Sequence, residues 1–138
     1  MSRPEAVTFK GTPLTLAGEA VTVGQPAPDF TMHYWEDGLQ AMTKECLLGK
    51  PTLLSVVPSL DTPVCQIQTK QFNEAVASLG DQINAVTISL DLPFAQGRFC
   101  GDENIENVRT ASDYQDRSFG NNRGMLIEEI KLLARGVF

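Results

Sequence analysis

Metal-binding residues are scarce in this sequence: His33 is its only histidine, and no two of its three cysteines, Cys46, Cys65 and Cys100, are spaced Cys-x-x-Cys. That argues against a structural zinc site and against a local dithiol. Three cysteines are also too few for a disulfide scaffold, so thiol chemistry or buried free thiols in a reducing compartment are the readings left. No apolar run approaches the ~20 residues of a membrane helix, and no glycine-rich phosphate loop occurs. Lys and Arg are not clustered and the net charge is -6, which argues against nucleic acid as a partner. Met1–Glu5 carries Arg3, Pro4 and Glu5 and leads into no apolar segment, so no secretory signal is visible and a cytoplasmic setting is expected. Internal repeats and low-complexity stretches are absent. What is present is a chain of 138 residues, 42% hydrophobic and 20% charged, which reads as one domain spanning 1–138 with one core.

The most informative stretch is Pro58-Ser59-Leu60-Asp61-Thr62-Pro63-Val64-Cys65. Pro51 to Val57 is too short for a helix and too continuously apolar for a half-exposed strand, so it suits a parallel strand covered on both faces. Pro58 ends it. Thr62 is a good N-cap and Pro63 suits the first helical position, where its missing N–H costs nothing. Cys65 then falls in the first turn, where free N–H groups and the helix dipole favour a thiolate over a thiol.

Around this segment the chain alternates strands and helices. Val7-Thr8-Phe9 and Leu14-Thr15-Leu16 flank Lys10-Gly11-Thr12-Pro13 as a small hairpin lidding one end of the domain. Gly24 to Phe30 is a proline-set entry, Phe30 to Trp35 a strand, and Glu36-Asp37-Gly38 a turn. From Pro63 to Leu79 the apolar positions Val64, Ile67, Phe72, Val76 and Leu79 recur at helical spacing, with Gly80 as a stop. Ile83 to Leu90 reads as a second buried strand, so strand, helix and strand form a right-handed crossover with parallel strands. Asp91 caps a short helix from Leu92 to Phe99 that carries Cys100. Both thiols are then expected at the carboxyl edge of the sheet, where open α/β sheets place their sites. A strand over Val108 to Ala111, a helix over Asp113 to Phe119, a helical or turn-like Leu126 to Leu133, and a strand starting at Arg135 complete the reading.

One thiol at a helix start and a second on the same edge suit reversible oxidation, in which a thiolate becomes a sulfenic acid and a second thiol captures it as a disulfide. Ionisation alone contributes little, because a thiolate loses intrinsic nucleophilicity as its pKa falls. Fast peroxide reduction needs groups that stabilise charge on the departing oxygen: the Thr62 hydroxyl, first-turn N–H groups and an arginine.

Pro58-x-x-x-Thr62-x-x-Cys65 resembles the peroxidatic motif of the peroxiredoxins. Asp91-Leu92-Pro93-Phe94-Ala95-Gln96-Gly97-Arg98-Phe99-Cys100 resembles the resolving-cysteine segment of their atypical two-cysteine branch, the bacterial thiol peroxidases. The hairpin, Gly24 to Phe30 and Leu132-Leu133-Ala134-Arg135 are similar to that branch as well. The resemblance implies an α/β, thioredoxin-like fold, with a central mixed sheet flanked by helices and an N-terminal β-hairpin. It implies a homodimer, hydroperoxide substrates including organic ones, re-reduction by thioredoxin, and no metal or organic cofactor. By motif match Cys65 is peroxidatic, Cys100 resolving, Thr62 the hydroxyl partner, Pro58 a shield for the thiolate and Arg135 the guanidinium. Thiol peroxidases continue past the segment matching Ala134 to Phe138 with the rest of that strand, another strand and a closing helix, so a C-terminally truncated domain is expected.

Each residue also has a plainer reading. Cys65 and Cys100 could be inert buried thiols, Arg135 a surface charge, and Cys46 a packed apolar residue rather than a redox partner. Asp61 reads as a turn residue, since a carboxylate beside Cys65 would oppose a thiolate. Phe94 and Phe99 either line an apolar pocket near the cysteines or pack in the core, and Trp35 and His33 read as structural. The alternative functions are a non-catalytic thioredoxin-like redox-sensing or binding module and an inactive truncated peroxidase. Closing a disulfide between two helix-borne cysteines further predicts fraying at Cys65 and loosening of the Leu92 to Cys100 helix, with Gly97 and Gly101 as yielding points.

Overall fold

The computed structural model describes residues 2–138; Met1, the first residue of the Met1–Glu5 stretch, lies outside them. A six-stranded mixed sheet carries the molecule. Its strands, in chain order, are β3 (Thr31–Trp35), β4 (Leu39–Thr43), β5 (Thr52–Val56), β6 (Asn84–Ser89), β7 (Arg109–Ser112) and β10 (Gly136–Val137), arranged β10-β5-β6-β7-β3-β4. The inner strands β5, β6 and β7 run parallel, and β10 and β3 flank them antiparallel. Helix α1 (Pro63–Val76) connects β5 to β6, and α2 (Pro93–Asp102) connects β6 to β7. The expected crossover is present twice, and both steps move the same way across the sheet, which places both helices on one face.

Side-chain alternation along the strands divides the core in two. Leu54 and Val56 of β5 and Val86 and Ile88 of β6 pack into one apolar cluster with Met32, Met42, Phe119 and Leu133. Leu53, Val57 and Ala85 point the other way, under the helices, with Leu60, Cys65, Phe72, Val76 and Phe99.

The buried stripe of α1 is not the expected one. Cys65, Thr69 and Val76 are buried, with Phe72 packed beside them, whereas Val64 and Ile67 are 58% and 54% exposed. Positions 65, 69, 72 and 76 follow the i, i+4, i+7, i+11 line that faces the sheet, and Val64 and Ile67, one position before Cys65 and two before Thr69, fall outside it.

The N-terminal hairpin is larger than a lid. β1 (Arg3–Phe9) and β2 (Thr12–Leu16) continue into β8 (Leu126–Ile127) and β9 (Leu132–Leu133), forming a second sheet in the order β1-β2-β8-β9. The 126–133 segment, expected to be helical or turn-like, is a short strand pair joined by a turn over 128–131. Leu16 stands opposite Ile127, and this pairing satisfies backbone groups that an isolated apolar turn would leave exposed.

The helix expected over Asp113 to Phe119 begins later, as α3 (Ser118–Arg123). Asp113 stays outside it and accepts the Phe119 and Gly120 N–H groups at 3.0 and 2.7 Å. Its carboxylate thus supplies the cap at a distance in sequence. Among the described residues no helix is long and apolar enough to cross a membrane.

Candidate active site

Cys65 sits where β5 hands over to α1. Val57 still donates to the Ile88 carbonyl at 3.0 Å; Pro58 then ends the pairing and residues 59–62 turn into the helix. Thr62 takes the extended cap conformation and Pro63 opens the helix, so Cys65 is its third residue. The Thr62 side chain makes no cap bond. Its hydroxyl and its N–H both donate to the Ser59 carbonyl, at 2.7 and 3.2 Å, closing the turn instead of covering the first-turn N–H groups. The Cys65 residue is fully buried.

Arg135 approaches from the opposite end of the sequence. Pairing of Gly136 with Val56 holds it beside the end of β5, and its Nη2 lies 3.4 Å from the Cys65 sulfur. Its Nη1 donates to Gln68 Oε1 at 2.8 Å, and Gln68 Nε2 donates to Ser55 Oγ at 2.7 Å. The guanidinium is held by Gln68, itself fastened to Ser55, so positive charge is aimed at the reacting atom. Pro58 and Arg135 also line one cavity of about 380 Å³ with Phe9, Lys10, Ile127 and Ala134.

Phe94 and Phe99 do not form that cavity. Phe99 is buried in the cluster that contains Cys65, and Phe94 is exposed with its ring 5.3 Å from Trp35.

Cys100 corrects a second expectation, that both thiols project from the carboxyl edge. It is the eighth residue of the ten-residue α2, about 10 Å along the helix from its start. There it faces Thr110, the second residue of β7, and lines a small cleft with Tyr34, Trp35, Pro93 and Gly97. A helix that leaves the carboxyl edge returns toward the amino edge, and Cys100 travels with it. Burial pushes its thiol pKa up, opposed by a hydrogen bond from Thr110. Cys65 and Cys100 are both free thiols.

Asp91 does not cap α2: Leu92 occupies that position, with no side-chain cap bond. The Asp91 carboxylate instead accepts the Ser59 hydroxyl, the Leu60 N–H and the Ser89 hydroxyl, each at 2.7 Å. Gln96 of α2 in turn donates to Ser89 Oγ at 3.0 Å and to the Ala111 carbonyl at 2.8 Å. Asp61 points outward to Arg98 at 4.0 Å, an exposed pair of small energetic weight.

Sequence reasoning thus misses Gln68 and assigns Asp91 only as a helix cap. Gln68 was reachable, since its i+3 spacing from Cys65 places both on one helix face. The role of Asp91 depends on the Ser59–Leu60 loop, about thirty residues away in sequence, which supplies two of its three donors. Cys46 is exposed, its sulfur 3.6 Å from the Thr43 hydroxyl and apart from this site.

Comparison with known proteins agrees with the geometry. The redoxin family profile matches residues 22–138. The chain is 52% identical over 132 residues to the thiol peroxidase of Bacillus subtilis, covering 96% of this chain and 77% of that protein. It is 49% identical over 133 residues to the thiol peroxidase of Halalkalibacterium halodurans, covering 96% and 78%. Among solved structures, a peroxiredoxin-like protein from Aquifex aeolicus superposes with a TM-score of 0.87 at 41% identity, covering 97% of this chain and 78% of that one. With a thioredoxin-like sheet, a cysteine in the first turn after β5 and an arginine against its sulfur, the chain belongs to the thiol peroxidase family of the redoxins.

Proposed function

We propose that this chain reduces hydroperoxides at Cys65, with Cys100 as resolving thiol and a thioredoxin-type dithiol as reductant. The observation that carries the reading is the 3.4 Å approach of Arg135 Nη2 to the Cys65 sulfur. The Cys65 thiolate attacks one peroxide oxygen; the O–O bond breaks, the sulfur becomes a sulfenic acid, and the other oxygen leaves as water or an alcohol after taking a proton. The Arg135 guanidinium and the free first-turn N–H groups offset the negative charge that develops on that departing oxygen. The Thr62 hydroxyl, its proton committed to Ser59, presents lone pairs that accept the peroxide O–H. Pro58 walls the cavity through which the peroxide arrives.

In the second step the Cys100 thiol displaces the sulfenic oxygen as water, and a disulfide forms. A disulfide requires Cα atoms about 4.4 to 6.8 Å apart, so the position of Cys100 near the far end of α2 makes this step one of local unwinding. Gly97 and Gly101, with open space around them, are the yielding points. The reductant dithiol then exchanges with the disulfide and restores both thiols. A single thioredoxin-like domain, a homodimeric assembly and a cytoplasmic location complete the proposal.

Intact mass after one equivalent of hydroperoxide tests it. The parent should lose about two hydrogens, as disulfide formation requires; Cys65→Ser should not react, and Cys100→Ser should hold a sulfenic acid. A Cys65→Ser variant that still consumes peroxide would refute the assignment.

A further inference from the structure

We infer that Asp91 is a positioning residue that ties the Cys65 loop to the Cys100 helix, so that the two segments open together. The inference rests on the disulfide cycle proposed above. The Cys65 loop is fastened at Ser59 and Leu60, both donating to the Asp91 carboxylate at 2.7 Å. The Cys100 helix is fastened in its first turn at Gln96, which is 1% exposed and donates to Ser89 Oγ. Ser89 then donates its own proton to the same Asp91 carboxylate at 2.7 Å. One continuous relay therefore runs from Leu60 and Ser59 through Asp91 and Ser89 to Gln96.

Its members are charge-assisted or buried bonds, which are stronger than the exposed Asp61–Arg98 pair that also spans the two segments. When the loop frays, the half-buried carboxylate loses two of its three donors. A half-buried carboxylate that keeps one donor of three holds its surroundings less firmly, so the arrangement favours release of the α2 end at the same time. Asp91 in this way influences the fate of oxidised Cys65. Closed, the relay keeps the sulfenic acid in the Arg135 pocket, where a second peroxide can convert it to the sulfinic acid with loss of water or alcohol. Open, it lets Cys100 capture the sulfur.

Hydrogen exchange on the reduced protein tests the coupling without any peroxide. Ser59→Ala removes one donor from a residue that makes no hydrogen bond with α2. It should raise exchange in both Ser59–Cys65 and Pro93–Cys100 by about tenfold, the factor carried by one charge-assisted hydrogen bond. Asp91→Asn should do so more strongly, and should lower the fraction of Cys65 overoxidised per turnover at high peroxide. Exchange in β5 and β6 should be unchanged, which separates a tie between two segments from general destabilisation. If Ser59→Ala loosens its own loop and leaves Pro93–Cys100 at parent rates, the inference is wrong even where the disulfide forms normally. Conversely, coupled exchange in a protein that never forms the disulfide would overturn the peroxidase cycle and leave the tie standing.

Discussion

Gln68 holds Arg135: its Oε1 accepts the Arg135 Nη1 proton at 2.8 Å while its own Nε2 is anchored on Ser55. The cation at the Cys65 sulfur is therefore positioned by α1 and β5 together. Replacing Arg135 by Ala should lower the second-order rate of peroxide reduction by about 10²-fold, the scale of one lost charge-stabilising donor. Gln68→Ala, which leaves the guanidinium present but unsupported, should cost about tenfold. Arg135→Lys should fall between wild type and Arg135→Ala, because an ammonium cannot reach Gln68 and the sulfur as a fork. Stopped-flow peroxide kinetics on the three variants reads this order directly.

The cavity beside Arg135 sets a second expectation, about substrate size. Phe9 and Lys10 of the first hairpin line it beside Pro58 and Arg135, and the organic part of a hydroperoxide whose O–O bond lies at Cys65 is expected to rest against them. Phe9→Ala should raise KM for a bulky alkyl hydroperoxide severalfold and leave hydrogen peroxide kinetics nearly unchanged. Equal effects on both substrates would show that the hairpin does not contact the alkyl group.

Cys46 and Cys100 should separate by alkylation rate. Hydrogen bonds from Thr43 lower the Cys46 pKa and the residue is exposed, whereas burial raises that of Cys100. At neutral pH iodoacetamide should label Cys46 several times faster than Cys100, as peptide mass mapping would reveal. Cys46→Ser should keep full peroxidase turnover.

Asp113 gives the fold a pH dependence of unusual sign. Burial pushes its carboxyl up to about 6, against the Gly120 and Phe119 N–H groups and with Asp116 and Arg117 nearby. The ordinary value is about 4, so between those limits the folded protein holds a proton that the unfolded chain has released. The stabilisation from this proton is complete below about pH 4 and is lost as pH rises through 6, a change of up to about 3 kcal/mol. Urea unfolding at pH 4.5, 5.5 and 7 should show this trend in the difference between wild type and Asp113→Asn, with other carboxylates cancelling.

Much of the active-site region could be read from residue order. The apolar run before Pro58, the Thr62–Pro63 start and the period of the next helix are local signals, and each led to the right element. What escaped was long-range. Asp91 resembles any helix cap until Ser59, Leu60 and Ser89 converge on it, and the 126–133 segment looks helical or turn-like until Leu16 supplies a strand partner. A shared carboxyl edge for Cys65 and Cys100 ignores that a helix carries its later residues back along the sheet. Thr62 kept the cap position but spent its hydroxyl on Ser59, a choice that depends on turn geometry and not on residue type.

The 70 positions between Cys65 and Arg135 also order events at the ribosome. At roughly 5 to 20 residues per second, the thiol is made several seconds before the guanidinium that it needs, and β5 lacks its β10 neighbour for all of that time. A nascent chain therefore carries Cys65 without its Arg135 contact until β10 is made and pairs with β5, and full reactivity toward peroxide is expected only from that point.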